Sequence, residues 1–434
     1  PADLPKEGGG FDLPIAIGIL VASEQISGRH IDQYEFIGEL ALSGKVRPAR
    51  GLLPIAIGCQ QANKKLIFPE NNSPEVNLLN GFTAFPCQHL LAVTAHLNNI
   101  TPLERLKLAD QADAQATRLA DMSDIIGQPQ AKRALLIAAA AKHSLLMVGP
   151  PGSGKSMLAH RLPGILPPLP HQQALETAAI HSISEQHFNP ATWKIPPFRH
   201  PHHSASSAAL VGGGSIPRPG EISLAHNGVL FLDELTEFER RTLDFLREPM
   251  ENGYITLSRV AQKNEYPARF QLIAAMNPCP CGYLGDEKRA CGTCTYEQIK
   301  RYQGKISGPV MDRIDMHIEV PAIPAELLHN RDKHEVTSDA LRQQVVTTRE
   351  IQLQRQGKCN NELSGRELEQ FARLDRQSQT LLQKSIEQLG LSARAYHRIL
   401  RVSRTIADLA GSVDIQTRHV AEAIAYRKLD RHTL

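Results

Sequence analysis

The sequence lacks long apolar runs, and neither sign of charge dominates it. The longest apolar stretches, residues 134–141 and Leu145–Val148, are far shorter than the roughly 20 residues that a membrane-spanning helix needs. We therefore expect no membrane-spanning helix. Lysine and arginine number 48 against 45 aspartates and glutamates, a net charge of +3, so any nucleic-acid surface has to be local.

The chain also lacks an initiator methionine and a secretory signal. It opens with Pro1, and no basic, apolar and small-residue leader follows. We therefore expect a fragment that starts inside a domain, with the cytoplasm as its compartment. At 434 residues and roughly 150 residues per domain, about three domains are expected.

The apolar spacing divides the chain into a mixed part, an α/β part and a helical part. Residues 1–100 combine capped-helix and strand-turn signals, and the polar segment 101–122 is interpreted as a partly helical linker. Residues 123–320 carry the order of a parallel α/β sheet, and residues 321–434 predict a helical domain. The predicted buried strands are Leu145–Val148, Val229–Leu232 and 270–276, and the predicted helices are 130–142, 341–356, 378–389, Ala393–Leu409 and 417–427.

A glycine-rich motif of the form G-x-x-x-x-G-K-[ST] lies between a predicted strand and a predicted helix. Backbone N–H groups at the start of the helix would wrap phosphates, Lys155 would reach the β and γ oxygens, and Ser156 would ligate Mg²⁺. A plain glycine turn is the alternative. The motif comprises Gly149, Pro150, Pro151, Gly152, Ser153, Gly154, Lys155 and Ser156.

Two carboxylates, Asp233 and Glu234, follow the buried strand Val229–Leu232 at its carboxyl end, where α/β ligand sites lie. Asp233 would hold Mg²⁺ through its water shell, and Glu234 would polarise the attacking water. An ion-paired strand end is the other interpretation, which the nearby phosphate loop disfavours.

Four of the seven cysteines lie close together, in the order Cys279, Cys281, Cys291 and Cys294. Two such pairs can close a tetrahedral thiolate site, so a structural Zn²⁺ is predicted. Free thiols and redox pairs remain alternatives, because the first pair has one intervening residue instead of the usual two to four. The isolated cysteines are expected to be buried apolar residues, namely Cys59, Cys87 and Cys359.

The histidines of the segment 200–203 also form a cluster. Adjacent histidine side chains point in different directions and Pro201 stiffens the segment, so His200, His202 and His203 are not expected to share one metal ion.

These motifs together resemble an AAA+ ATPase, as do residues 123–128 and Asn277 after the third strand. The run 219–234 (PGEISLAHNGVLFLDE) resembles the magnesium-chelatase-like branch, and the similarity to a family of bacterial competence proteins in that branch runs almost end to end. The resemblance implies an AAA+ P-loop core with a helix-2 insert over residues 204–219, a helical lid, and bound ATP and Mg²⁺. It adds Ile126 and Met157 to the nucleotide contacts of the phosphate loop.

The resemblance assigns roles to three further polar residues. Asn277 would be the sensor that helps to place the water, Arg313 the arginine finger and Arg394 the sensor arginine of the lid, since an always-charged guanidinium neutralises charge on the γ-phosphate. An ion pair with Asp312 or Asp315 is the alternative for Arg313. Because a finger acts on a neighbour's nucleotide, a homo-oligomeric ring, taken as a hexamer, is implied.

A β-hairpin over residues 253–269 precedes the sensor strand. In the related minichromosome maintenance helicases, such hairpins line a channel and carry a basic DNA contact. Arg259 matches that place and Lys263 lies near the tip, although solvated basic residues are the plainer interpretation.

The function that the resemblance implies is a DNA helicase and branch-migration motor of homologous recombination during natural transformation. It would act on forked, branched or duplex DNA without sequence preference. Two alternatives remain: the ATPase subunit of a metal chelatase and a non-enzymatic scaffold.

Residues 1–100 resemble a truncated Lon-protease domain, an α+β fold of the ribosomal S5 domain 2 type. Lon-type catalysis needs a serine nucleophile activated by lysine. Alignment puts Gly10 where the serine belongs and Leu53 where the lysine belongs. A binding or oligomerisation module is what remains.

Overall fold

The computed structural model describes residues 9–107, 119–184, 189, 192–213, 218–259, 262–285, 291–324 and 335–427, with only the backbone described at 258–259 and 262–263. Packing divides the chain into two compact units, Pro1–Thr117 with Pro170–Ile195, and Arg118–Leu169 with Pro196–Leu434. The segment Pro170–Ile195 falls within the α/β part predicted from the sequence, yet it groups with the N-terminal residues. The four-part division itself stays a prediction.

The first unit is built on a three-stranded parallel sheet, in the order Tyr34–Phe36, Lys65–Pro69, Ala84–Cys87. The strand-turn signal of the N-terminal part, at residues 39–46 with its turn at Ser43 and Gly44, forms a small antiparallel pair, Glu39–Leu40 with Val46–Arg47. The core of this first unit consists of apolar side chains, which include Leu13, Ile17, Ile67 and Val93. The helices are Asp12–Ala22, Leu52–Gln61, Ser73–Val76, Leu90–Leu97 and His171–Ile183.

Helix His171–Ile183 is held in this unit by polar contacts as well as by packing against Leu52–Gln61. The backbone N–H of Gly51 donates to the carbonyl oxygen of Ser182 at 3.0 Å. The Ser182 hydroxyl donates to a carboxylate oxygen of Glu75 at 2.9 Å. Burial raises the pKa of Glu75 despite this bond. These long-range contacts explain why a helix that follows the phosphate loop in sequence packs elsewhere.

The second unit contains a five-stranded parallel sheet, in the order Met316–Glu319, Leu145–Val148, Gln271–Met276, Val229–Leu232, Phe198–Arg199. Alternate side chains of each strand point to opposite faces, so Leu145 and Met147 join one apolar cluster while Leu146 and Val148 join the other. Burial on both faces explains why the central strands are apolar throughout.

Helices cover both faces of this sheet and extend into the C-terminal region. The helices predicted there are confirmed to within three residues at each end. The two edge strands of the sheet, Phe198–Arg199 and Met316–Glu319, were not predicted from the sequence. The helices are Pro129–Ala141, Lys155–Ile165, Ser207–Val211, Glu221–Leu224, Arg240–Asp244, Arg247–Asn252, Tyr296–Gln303, Gly308–Met311, Ser338–Gln356, Gly365–Phe371, Arg376–Leu389, Ala393–Leu409 and Thr417–Ala425.

Two antiparallel pairs complete the described strands. The predicted hairpin forms between Tyr254–Arg259 and Gln262–Pro267, and Gly212–Gly213 pairs with Arg218–Pro219. The predicted linker, 101–122, shows no α-helix in its described stretches, 101–107 and 119–122. Within the described ranges, no helix combines the length and apolarity required to cross a membrane.

Asp315, just before strand Met316–Glu319, ties the sheet to the C-terminal helices. Its carboxylate accepts from the backbone N–H and hydroxyl of Ser144 at 2.9 and 3.0 Å, pairs with the Arg398 guanidinium, and lies 3.6 Å from a ring nitrogen of His143. Burial alone would raise the pKa of Asp315, but Arg398 and His143 outweigh it and hold the pKa well below its usual range. The carboxylate is therefore charged and fully paired in the folded protein.

Replacing Asp315 with Asn is expected to lower the free energy of unfolding by about 3 kcal/mol at neutral pH, because the largely buried Arg398 loses its counter-charge. Folding lowers the pKa of Asp315, so its stabilisation is fully present above the unfolded value of about 4 and is lost as the pH falls below it. In denaturant titrations, the difference between wild type and Asp315→Asn should shrink on acidification.

The matched control is Asp339→Asn, which removes an exposed carboxylate that pairs with Arg342. It should change the free energy of unfolding by less than about 1 kcal/mol. Equal effects of the two substitutions at neutral pH would contradict the importance of the buried pair.

Candidate active site

The phosphate loop connects strand Leu145–Val148 to helix Lys155–Ile165 and depends on glycine at three places. Gly152 and Gly154 have φ angles of 78° and 89°, in the left-handed region that favours glycine. At Gly149, a Cβ atom would lie 2.1 Å from the carbonyl oxygen of Val320. The sequence motif therefore encodes a loop whose backbone wraps the start of the helix, as a phosphate site requires.

Lys155 lies at the centre of this loop and is buried. Its ammonium donates to the carbonyl oxygens of Gly149 and Pro150 at 2.7 and 2.9 Å, and to the side-chain oxygen of Asn277 at 3.3 Å. Burial lowers the pKa of Lys155, and the Asp233 carboxylate opposes that shift. The ammonium and the predicted sensor amide thus meet at the position where phosphates would bind.

Ser156 and Asp233 form the side of the site where a hard cation fits. The Ser156 hydroxyl donates to one carboxylate oxygen of Asp233 at 2.5 Å, and the other oxygen accepts the N–H of Glu234 at 2.9 Å. Hydroxyl and carboxylate oxygens are the protein ligands that Mg²⁺ prefers. These two residues fit the predicted Mg²⁺ site together with phosphate oxygens and water.

Glu234 is exposed and has a left-handed backbone, with φ 51°. Its carboxylate lies 2.9 Å from a ring nitrogen of His203, whose ring packs on that of His202 with the centroids 4.2 Å apart. His200 packs instead on Phe231, at 4.7 Å between centroids. The contact between His203 and Glu234 joins residues 31 apart and was not predicted from the sequence, where the histidines were interpreted as part of the insert loop and not as ligands of one metal ion.

The two remaining predicted nucleotide contacts are Ile126 and Met157. Ile126 is half-buried beside Gly127, whose N–H donates to the Glu335 carboxylate at 2.9 Å. Met157 is exposed in the first turn of helix Lys155–Ile165. Their nucleotide contacts stay predictions.

The predicted finger Arg313 pairs within its own chain. Its guanidinium contacts the Glu251 carboxylate and donates to the carbonyl oxygen of Pro309 at 2.9 Å, leaving the side chain 10% exposed. The alternative prediction from the sequence, an ion pair of Arg313 with Asp312 or Asp315, is therefore wrong. Glu251 is 62 residues away, at the end of a short helix, and Arg313 lowers its pKa.

The predicted sensor Arg394 lies at the start of helix Ala393–Leu409 and is well exposed. It pairs with Asp312 at 3.6 Å, and the capping residue Ser392 donates to the same carboxylate at 2.9 Å. The two predicted functional arginines thus lie in the same region, because Arg394 pairs with Asp312, the residue before Arg313. Neither arginine has a described contact with the phosphate loop.

The four clustered cysteines converge as predicted, with all four sulfur atoms within 4.8 Å of one another. The Cys279 sulfur lies 3.3 Å from that of Cys281 and 3.8 Å from that of Cys291, which are 3.4 Å apart. Four sulfurs around a tetrahedral Zn²⁺ lie roughly 3.8 Å apart, whereas disulfide sulfurs are bonded at about 2.0 Å. The N–H of Tyr283 and the neighbouring thiols hold the pKa of Cys281 below its usual value, whereas burial raises the pKa of Cys279 and the neighbouring Cys281 raises that of Cys291.

Two further sequence predictions concern the isolated cysteines and the basic residues of the hairpin. Cys59, Cys87 and Cys359 are buried free thiols, as expected. The side chains of Arg259 and Lys263 lie outside the described residues. Their backbones belong to the paired hairpin strands, where Arg259 is opposite Gln262 and Lys263 opposite Ser258.

If His203 orients the carboxylate of Glu234, His203→Ala should lower kcat for ATP hydrolysis about tenfold and leave KM for ATP within about twofold. His203→Gln keeps a donor of similar reach and should recover most of the rate. Steady-state kinetics of both variants test this. Equal losses in the two variants, or a change confined to KM, would contradict a positioning role.

Family models match the chain in three segments. The description "Magnesium chelatase, subunit ChlI" covers residues 121–328, its C-terminal counterpart covers residues 335–427, and "Subunit ChlI of Mg-chelatase" covers residues 1–72. The first two matches together span the parallel sheet, the site and the C-terminal helices.

Individual relatives agree with these matches. The chain is 50% identical to "Competence protein ComM" of Haemophilus influenzae over 99% of this chain and 85% of that protein. It is 49% identical to "Uncharacterized protein YifB" of Escherichia coli over 99% of this chain and 84% of that protein. It is 26% identical to "Zygotic DNA replication licensing factor mcm6" of Xenopus tropicalis over 47% of this chain and 24% of that protein. The chain therefore belongs to the magnesium-chelatase-like AAA+ ATPase family, in which it is a homologue of the competence protein ComM.

Proposed function

We propose that this chain is the motor subunit of a ring-shaped DNA helicase, which uses ATP for branch migration in homologous recombination during natural transformation. The convergence of Lys155, Asp233 and Glu234 at one edge of the sheet carries the ATPase part. The DNA part is supported by the names of two relatives, a competence protein aligned along nearly the whole chain and a replication licensing factor aligned over about half of it.

In this proposal each site residue has a separate task in phosphoryl transfer. Lys155 neutralises charge on the β and γ phosphates. The hydroxyl of Ser156 and the carboxylate of Asp233 hold the metal ion. When bound, Mg²⁺ supplies further charge neutralisation on the phosphates. Glu234 polarises the attacking water, and Asn277 orients that water from the end of the neighbouring strand.

The arginines imply a homo-oligomer, which we take to be a hexamer. Arg313 would act as the finger on the nucleotide of the adjacent subunit and Arg394 as the sensor of the lid. Since Arg313 is paired with Glu251 and little exposed, the finger role requires this pair to open when a neighbour's nucleotide is bound.

The DNA would pass through the centre of the ring along the hairpin of Tyr254–Arg259 and Gln262–Pro267. Arg259, at the end of the first strand, would contact phosphates, and Lys263 would assist it. Phosphate contacts carry no sequence information, so forked, branched and duplex DNA would all bind without sequence preference, and binding would weaken with salt.

The N-terminal unit would serve as a binding or oligomerisation module of Lon type, without peptidase activity. Leu53, at the position of the missing lysine, is fully buried in helix Leu52–Gln61, so it contributes packing. Gly10 offers no nucleophile. The proposed cofactors are ATP, Mg²⁺ and a structural Zn²⁺, and the proposed compartment is the cytoplasm.

A second candidate, the ATPase subunit of a metal chelatase, is favoured by the descriptions of the matching family models. Such a subunit would remodel a protein partner and would not respond to DNA. The agreement with a competence protein over 99% of this chain makes it the weaker candidate.

The test is ATPase activity of the purified chain with and without forked, branched and duplex DNA, followed by unwinding per ATP hydrolysed. We expect DNA to stimulate hydrolysis. Arg259→Ala should lower DNA affinity about tenfold, because several copies in a ring add their contacts, and should leave basal hydrolysis intact. Lys263→Ala should show a smaller defect of the same kind.

Arg366→Ala, at an exposed arginine of the short helix Gly365–Phe371, is the matched control and should behave as wild type. ATP hydrolysis that ignores every DNA would contradict the motor. Wild-type unwinding by Arg259→Ala across salt concentrations would contradict the hairpin contact and favour the helix-2 insert.

A further inference from the structure

The cysteine cluster directly adjoins the nucleotide site. Cys279 is the second residue after Asn277, whose side-chain oxygen accepts from the Lys155 ammonium at 3.3 Å. Cys279 is fully buried, and its carbonyl oxygen accepts the N–H of Gly282 at 2.9 Å, which closes a tight turn that also contains Cys281. The first pair of thiols is therefore built into the same turn that follows the sensor strand.

This turn touches the phosphate loop. Gly282 has a φ of 85°, and a Cβ placed on it would lie 2.6 Å from the side chain of Pro151 and 3.9 Å from the side chain of Asn277. Only a residue without a side chain allows this approach. Pro151 is in turn one residue from Pro150, whose carbonyl oxygen accepts from Lys155 at 2.9 Å.

The turn belongs to no regular element, since the described residues 277–285 form no strand or helix. Its described contacts include the bond from Gln303 to the carbonyl oxygen of Pro278 at 2.9 Å, the bond between Lys155 and Asn277, and the contacts among the cysteine sulfurs. The second cysteine pair comes from a separate segment that leads into helix Tyr296–Gln303. An ion bound by all four sulfurs would cross-link the two segments and fix the turn against the loop, since binding free energy at such a site is also folding free energy.

We propose that the four-cysteine site binds a divalent, thiolate-preferring metal ion, Zn²⁺, and that this ion clamps the turn at Gly282 against Pro151 of the phosphate loop. The metal then sets the affinity for nucleotide, beyond any general effect on stability. The proposal rests on the ATP-binding part of the proposed function and is independent of DNA.

The experiment measures the zinc content of the full chain and the Kd for a fluorescent ATP analogue, without DNA. Wild type should contain about one zinc per chain. Removing it with a chelator should weaken nucleotide binding at least about tenfold, and adding Zn²⁺ alone should restore it. Cys291→Ser should lose zinc and affinity together.

Two glycines of the turn supply a matched pair of variants. Gly282→Ala and Gly285→Ala impose similar backbone strain, since the φ angles are 85° and 80°, but a Cβ on Gly285 meets nothing within 4 Å. Gly282→Ala should keep its zinc and bind nucleotide about tenfold more weakly, whereas Gly285→Ala should keep both properties. This pair separates contact with the phosphate loop from strain in the turn.

Three results would overturn the proposal: wild type prepared without chelators that holds no zinc, metal-free protein of unchanged circular dichroism that binds nucleotide normally, or equal affinities in the two glycine variants. Failure of DNA to stimulate hydrolysis, with these affinities as expected, would reject the helicase and leave the clamp standing. A zinc-loaded wild type that binds no nucleotide would reject both.

Discussion

The carboxyl ends of three buried parallel strands share one edge, and the active site depends on that edge. Val148 pairs with Met276, and Leu232 pairs with Ala274, so the residues that follow these strands emerge side by side. Lys155, Asp233 and Asn277 meet although as many as 122 residues separate them. The apolar strands bring these polar groups together because their own burial on both faces fixes the register.

Much of this could be predicted from the sequence, because the signals are local. The phosphate loop needs glycine where its backbone is left-handed, and the buried strands are apolar throughout. Strand, loop and helix can therefore be predicted from a stretch of about 20 residues. The helix Ala393–Leu409 was predicted to the residue from its apolar spacing. The cysteine cluster could be predicted because its four cysteines lie close together in the sequence.

The contacts that were missed join residues far apart in the chain or lie on short elements. His203 reaches Glu234 from a loop after a two-residue strand, and Arg313 prefers Glu251 to the nearby Asp312. Helix His171–Ile183 follows the phosphate loop in sequence, yet packs with the N-terminal unit. No periodicity or spacing encodes such pairings, since they depend on which surfaces the fold brings together.

The central claim is that Lys155 binds nucleotide and Glu234 drives its hydrolysis, and one comparison tests it most directly. ATP affinity and single-turnover hydrolysis are measured for Lys155→Ala and Glu234→Gln. Lys155→Ala removes the ammonium at the centre of the loop and should not bind ATP, whereas Glu234→Gln keeps the shape without the charge and should bind ATP without turning it over. Near-normal hydrolysis in both variants would contradict the account of the site.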